Sequence, residues 1–253
     1  MSDRGRAVSH MVSFVLVFSL IVTSVGLVSV VGTGSIQDVV RFEQTEASVS
    51  LMRSAGAGIN EVANGAAPGY RSSIALAGGS LRMDNRTEVT VTVSNATGTM
   101  FSETYRPWSI RYEANDRNVS YQSGLLARGG DRREGVLLTG AGFRCDPAND
   151  HASVTVVRLR PSGSTVFGGG PVTIRATERQ ARAPANRTGV SFPESRPHPT
   201  ATEVTVSVDG PYETAWREAL TSRGFSYDGA TDTLECDVGR VFVQSPRVEV
   251  RLS

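Results

Sequence analysis

Residues 11–31 have the sequence MVSFVLVFSLIVTSVGLVSVV, an apolar stretch without a single charged side chain. Helical residues rise 1.5 Å each, so a helix of about 20 such residues matches the ~30 Å hydrocarbon core of a bilayer. No Asp, Glu or Arg occurs anywhere from Ala7 to Gln37. The stretch therefore predicts a transmembrane helix over residues 7–34.

The flanking charges predict an orientation. Arg4 and Arg6 precede the apolar stretch, whereas a mixed set of charges that begins at Asp38 follows it. Under the positive-inside rule, this places the N-terminus in the cytoplasm and the rest of a single-pass cell-membrane protein outside. A removable secretory signal is the alternative, with a poor cleavage site at 31–35. Its apolar region would be only ~7–15 residues long.

A short basic leader, Arg4-Gly-Arg6-Ala7-Val8-Ser9, runs directly into the apolar stretch. This arrangement resembles the N-terminal segment of archaeal type IV pilins, above all the haloarchaeal ones and their pilin-like surface proteins. The resemblance covers about 35 residues. It implies that a prepilin peptidase removes leader residues 1–6 by cutting between Arg6 and Ala7, and that the apolar helix stays in the mature protein. The chain departs from the family at His10, where Pro is common, and at Ser13, in a region where Gly is common.

Residues 35–66 predict a helical stalk that continues the first helix. Its apolar or small residues recur mostly every fourth position, which gives one stripe along a helix. Gly56 and Gly58 weaken this helix, and the sequence Gly65-Ala-Ala-Pro-Gly69 ends it. The stripe consists of Ile36, Val40, Ala47, Leu51, Ala55, Ile59 and Val62.

From residue 70 to residue 253 the pattern changes to alternation of apolar and polar residues, which predicts β-strands separated by turns. Residues 73–77 and 80–83 predict a hairpin around Gly78-Gly79, and residues 152–159 predict one strand. A short helix is expected between Pro211 and Gly224. The predicted fold class is α+β: one long N-terminal transmembrane helix, then an extracellular antiparallel β-sandwich-like head with one short helix.

Two kinds of covalent site are candidates in this head. Cys145 and Cys236 are the two cysteines of the chain and would form a disulfide in an oxidising compartment, the alternative being two separate buried thiols. Asn-x-Ser/Thr triplets predict surface glycosylation in loops. The candidate asparagines are Asn85, Asn95, Asn118 and Asn186.

Composition excludes several classes of function. The net charge is +1, so no broad basic face is expected and nucleic acid is not predicted as a partner. Three scattered histidines and two cysteines lack zinc-ligand spacing, and residues 146–151 lack the spacing of a calcium loop, so no metal or cofactor is expected. Catalytic motifs are absent from the sequence, so an enzyme is not predicted. An anchored enzyme would need a pocket around His151 or His198.

The sequence thus favours a structural function. The leading interpretation is a pilin-like, membrane-anchored subunit of a cell-surface filament, either a minor pilin or an adhesive component. Its expected partners are the membrane, other pilin-like subunits and a prepilin peptidase. The alternative is a single-pass surface protein that binds a ligand through its head and does not polymerise.

Overall fold

The computed structural model describes residues 4–76, 79–114, 117–129, 134–178 and 195–253. The chain divides into two compact units, Met1–Glu46 and Ala47–Ser253. Helix α1 covers Arg4–Ala63, helix α2 covers Glu213–Thr221, and a 3-10 helix covers Pro147–Asn149. The strands are β1 Gly69–Ala75, β2 Ser80–Asp84, β3 Glu88–Asn95, β4 Gly98–Tyr105, β5 Ser109–Ala114, β6 Arg117–Gln122, β7 Leu125–Gly129, β8 Val136–Thr139, β9 Phe143–Asp146, β10 His151–Thr155, β11 Arg158–Pro161, β12 Val166–Gly168, β13 Pro171–Glu178, β14 Ser195–His198, β15 Glu203–Asp209, β16 Ser226–Asp228, β17 Thr233–Asp237, β18 Val241–Gln244 and β19 Arg247–Leu252.

The transmembrane helix predicted for residues 7–34 is a wrong prediction. In the part of the chain that the structure describes, no helix is both long enough and apolar enough to cross a membrane. The described side chains of the predicted span are those of residues 13–27. The predicted single-pass cell-membrane localisation, with a cytoplasmic N-terminus and an extracellular head, is wrong for the same reason.

The described strands form four sheets, and the chain is mainly β rather than a helix with one simple sandwich. The strand orders are β1-β13-β19-β11, β14-β18-β10-β9, β12-β2-β5-β6-β7-β8 and β16-β17-β15-β3-β4. The predicted antiparallel sandwich is corrected because two sheets are mixed: β10 pairs with β18 and β11 pairs with β19 in parallel. A parallel pair needs a long crossover, and here the chain between residues 161 and 241 supplies it.

These sheets enclose two cores. The first core lies among α2, the five-stranded sheet and the sheet that contains β10, and Trp216 is fully buried in it. The second core lies among the other two sheets and the end of α1. Strand β7 serves both, because Leu125 and Ala127 belong to the first core whereas Leu126 belongs to the second. Successive strand residues point to opposite faces, so one strand can supply both cores.

Two strand predictions are also wrong. The predicted hairpin at 73–83 does not form, because β1 pairs with β13 while β2 pairs with β5 and β12. Of its predicted turn, Gly78 lies outside the described residues. The strand predicted at residues 152–159 is divided into β10 and β11, and the buried pair Val156-Val157 separates them. Val156 belongs to the first core and Val157 to the second.

The end of α1 packs into the second core through one face. Its buried side chains are Val49, Met52, Ala55, Ile59 and Val62. The Tyr121 hydroxyl donates to Asn60 Oδ1 at 2.6 Å, and burial raises the pKa of this phenol, so it stays protonated and remains a donor. We call residues 49–62 the anchored segment, since both apolar contacts and this hydrogen bond fix it to the β-sheets.

Candidate assembly surface

An exposed apolar surface occupies residues 13–27 of α1, which we call the apolar segment. Every side chain in it is exposed. Its ten large hydrophobic side chains are 53–70% exposed. Burying one such side chain contributes about 1.5–3 kcal/mol, so leaving them all in water is costly. They are Phe14, Val15, Leu16, Val17, Phe18, Leu20, Ile21, Val22, Val25 and Leu27.

Two of the four hydroxyl groups of the apolar segment are hydrogen-bonded within the helix. Thr23 Oγ1 donates to the Ser19 carbonyl oxygen, and Ser24 Oγ donates to the Leu20 carbonyl oxygen, each at 2.7 Å. Both hydroxyl groups are thus satisfied within the helix. Small residues at Ser19, Ser24 and Gly26 leave room for another helix to approach closely. A helix that is apolar on all sides is normally covered by other protein or by lipid.

The predicted processing site lies at the start of α1. Arg6 and Ala7 both fall within Arg4–Ala63, and their side chains lie outside the described residues. Cleavage there stays a prediction.

The structure joins Cys145 and Cys236 in a disulfide, with a Cα–Cα distance of 5.9 Å. Cys145 lies on β9 and Cys236 on β17, which belong to two different sheets. Both half-cystines are buried in the first core. The bond therefore links the two sheets that enclose this core.

Three of the four predicted glycosylation sites lie among the described residues, and each of the three has a different environment. Asn85 is exposed, and Asn95 is half-buried, with its Oδ1 accepting hydrogen bonds from the Thr97 amide and hydroxyl. Asn186 lies outside the described residues. Asn118 is corrected as a candidate, because it is only 9% exposed and its Oδ1 accepts a hydrogen bond from the Tyr212 hydroxyl. A glycan has no space at a buried amide inside the folded head.

The acidic turn at 146–151 is closed by its own side chains. Asp146 accepts from the Asn149 amide nitrogen and from Asn149 Nδ2, at 3.2 and 3.0 Å. The hydrogen bond from the Asn149 side chain is the main reason why the pKa of Asp146 is lowered. No group of three or more His, Cys, Asp or Glu side chains suited to a metal occurs among the described residues. His151 and His198 lie on β10 and β14, in one sheet.

Sequence reasoning missed a cavity in the head beside β11. The sequence Arg158-Leu159-Arg160 could have indicated it, because alternate residues of a strand share a face and both arginines therefore project to the same side. It also missed the contacts that place Asn118 inside the head. Trp216 Nε1 and Thr87 Oγ1 both donate to Gln122 Oε1, and so α2 is fixed to β6 near Asn118.

These features describe a mainly β protein with a long N-terminal helix, part of which exposes an apolar surface. The chain belongs to DUF7289, a family of unknown function, whose model matches residues 6–252. No curated protein and no solved structure matches the chain.

Proposed function

We propose that the protein is a pilin-like structural subunit that associates with copies of itself through the apolar segment and exposes its β head on the surface of the assembly. The observation that carries this proposal is the continuous exposed apolar surface at residues 13–27. Its ten large side chains would be covered if several copies packed their helices together, and the association would be driven mainly by apolar burial.

Two further observations support a second copy as the occupant of this surface. The segment has no charge and presents the same apolar character around its whole circumference, so several identical helices can pack on it at once. The leader resemblance supports the same proposal, because pilins assemble through such a helix. Removal of residues 1–6 by a prepilin peptidase is part of this proposal. It predicts a mature chain that begins at Ala7, measurable as the intact mass from the native host.

The test is the oligomeric state of the full chain, measured by analytical ultracentrifugation and by electron microscopy of negatively stained samples. We expect species much heavier than the 26.9 kDa monomer. The variant Leu16→Gln/Leu20→Gln/Leu27→Gln places polar amides along one face of the helix while keeping good helix formers. This variant should sediment as a monomer or a small oligomer.

A matched control removes three exposed apolar side chains from the head instead. Met100, Val136 and Val166 are 39–55% exposed, and their replacement by Gln should leave the assembly unchanged. The proposal is wrong if the unmodified chain remains monomeric at all concentrations. It is also wrong if the helix variant and the head variant assemble equally.

A further inference from the structure

A cavity of about 280 Å³ opens in the head near β11. It lies beside the end of β4, the following residues 106–108, and β11. All of these belong to the unit Ala47–Ser253. The residues that bear on its chemistry are Asn85, Tyr105, Arg106, Trp108, Arg158 and Arg160.

The cavity wall is predominantly positive. Arg158 and Arg160 stand two residues apart on β11, so they project to the same face of the strand. The guanidinium carbon of Arg158 lies 5.8 Å from the centroid of the Tyr105 ring, and Arg158 Nη2 donates to the Ser245 carbonyl oxygen at 3.4 Å. These contacts hold the Arg158 side chain in place at the cavity.

Acidic neighbours offset only part of this charge. Arg106 Nη2 lies 2.6 Å from Glu88 Oε1, so this arginine is largely neutralised. Glu103 also lines the cavity, and one of its carboxylate oxygens accepts from the Tyr105 hydroxyl at 3.1 Å. Glu249 is the cross-strand neighbour of Arg160, whereas Arg247 is that of Arg158. Arg247 adds one positive charge to this face and Glu249 adds one negative charge. The face that bears Arg158 and Arg160 therefore keeps a net positive charge.

An aromatic wall completes the cavity. Trp108 is partly exposed there while the rest of its ring packs against the second core. Exposed Asn85 and Thr104 add neutral groups that both donate and accept hydrogen bonds. A guanidinium fork suits a carboxylate, an indole ring suits the apolar face of a sugar, and amide and hydroxyl groups suit sugar hydroxyls.

We propose that this cavity binds a carboxylated sugar unit of an acidic saccharide, with Arg158 and Arg160 on the carboxylate and Trp108 against the ring. The size of the cavity favours a sugar over a lone inorganic anion, because a phosphate ion would leave the indole wall uncovered. This inference does not depend on assembly through the apolar segment, since all of its residues lie in the head.

The test is a titration of the full chain with oligogalacturonate, followed by intrinsic fluorescence and by calorimetry. The other tryptophan, Trp216, is fully buried in the first core, so a change in fluorescence reports on Trp108. A neutral oligogalactoside of the same length and sodium phosphate are the comparison ligands. We expect saturable binding of oligogalacturonate, much weaker binding of the neutral oligosaccharide, and no competition by phosphate at similar concentration.

Variant Arg160→Gln should weaken oligogalacturonate binding about tenfold, because it removes one charge-assisted hydrogen bond. Arg160 is exposed, so its replacement should leave the thermal unfolding midpoint unchanged. The matched control is Arg71→Gln, at an exposed arginine on β1, the opposite edge strand of the same sheet. It should bind normally.

Four results would overturn the proposal. They are no saturable binding by the unmodified chain, equal binding of the neutral oligosaccharide, full competition by phosphate, and equal affinities of the Arg160 and Arg71 variants. The third result would identify a general anion site rather than a saccharide site.

Discussion

Helix α1 contains two apolar stretches that meet opposite environments. In the apolar segment, 13–27, every side chain is exposed, whereas the anchored segment, 49–62, buries five apolar side chains to 5% exposure or less. Polar residues such as Arg53 and Glu61 occupy the outer face of the anchored segment. A helix with one apolar stripe is covered by its own sheets, whereas a helix that is apolar all round needs cover on every side.

Removal of the disulfide is expected to have the largest effect, and it should change the stability of the head without changing the apolar segment. The disulfide closes a loop with a sequence separation of 91. Replacing both Cys145 and Cys236 by Ser should lower the free energy of unfolding of the head by about 4–5 kcal/mol in the chain-entropy model. Urea unfolding followed by the fluorescence of buried Trp216 measures this change.

The same variant should leave assembly through the apolar segment intact under conditions in which the head is still folded. Sedimentation of the variant without urea provides this control. A loss of assembly together with a folded head would contradict the independence of the two regions.

The difference between the two segments of α1 is tested most directly by replacing one isoleucine with alanine in each segment. Ile59 is fully buried in the anchored segment, whereas Ile21 is 54% exposed in the apolar segment. Ile59→Ala should lower the free energy of unfolding of the head by about 2–5 kcal/mol, because it removes buried methylene groups and leaves a cavity. Ile21→Ala should change it by less than about 0.5 kcal/mol. Urea titrations of the two variants at one protein concentration give both values.

Equal losses for the two isoleucines would show that the apolar segment also contributes to the folding of the head. Ile21→Ala should instead weaken assembly, since it removes apolar surface from the proposed contact. An unchanged sedimentation profile for Ile21→Ala would contradict a contact that covers the whole circumference of the apolar segment.

The anchored segment shows how far periodicity predicts a helix face. The predicted stripe correctly included Ala55, Ile59 and Val62, and its Leu51 packs, partly buried, against the second core, but it also included Ala47. The structure leaves Ala47 exposed and buries Met52. The predicted steps of four between residues 47 and 59 each advance about 40° around an α-helix, so Ala47 lies away from the buried face. The buried positions follow that face in steps of three, three, four and three, at Val49, Met52, Ala55, Ile59 and Val62.

Strand pairing was predicted less well because it depends on contacts that are distant in the chain. Residues 73–76 and 80–83 do lie in or beside strands, but their partners are β13 and β5 rather than each other. Alternation fixes which face of a strand is apolar and says nothing about which strand lies beside it. The burial of Asn118 could not be predicted from the sequence either, because its hydrogen-bond partner Tyr212 lies 94 residues away along the chain.

The smallest expected effect concerns two glycines, one in each segment. A Cβ added at Gly58 would overlap Tyr70 Cδ2 and lie 2.6 Å from Tyr70 Cγ, whereas a Cβ at Gly26 would meet nothing within 4 Å. The base of the Tyr70 ring is involved, so the whole side chain must move, at a cost of about 1–3 kcal/mol. Alanine recovers about 1 kcal/mol of helix propensity at either site.

Gly58→Ala should therefore lower the free energy of unfolding of the head by about 1 kcal/mol, the difference between these two contributions. Gly26→Ala should leave that value unchanged. In a Tyr70→Leu background the repulsion is reduced, so Gly58→Ala should become neutral or stabilising in the same urea titration. If Gly58→Ala destabilised equally in both backgrounds, the close approach of Tyr70 would not be the cause. The glycine would then be required by some other feature of the anchored segment. Rescue by Tyr70→Leu would instead show that Tyr70 on β1 is the reason why residue 58 must be glycine.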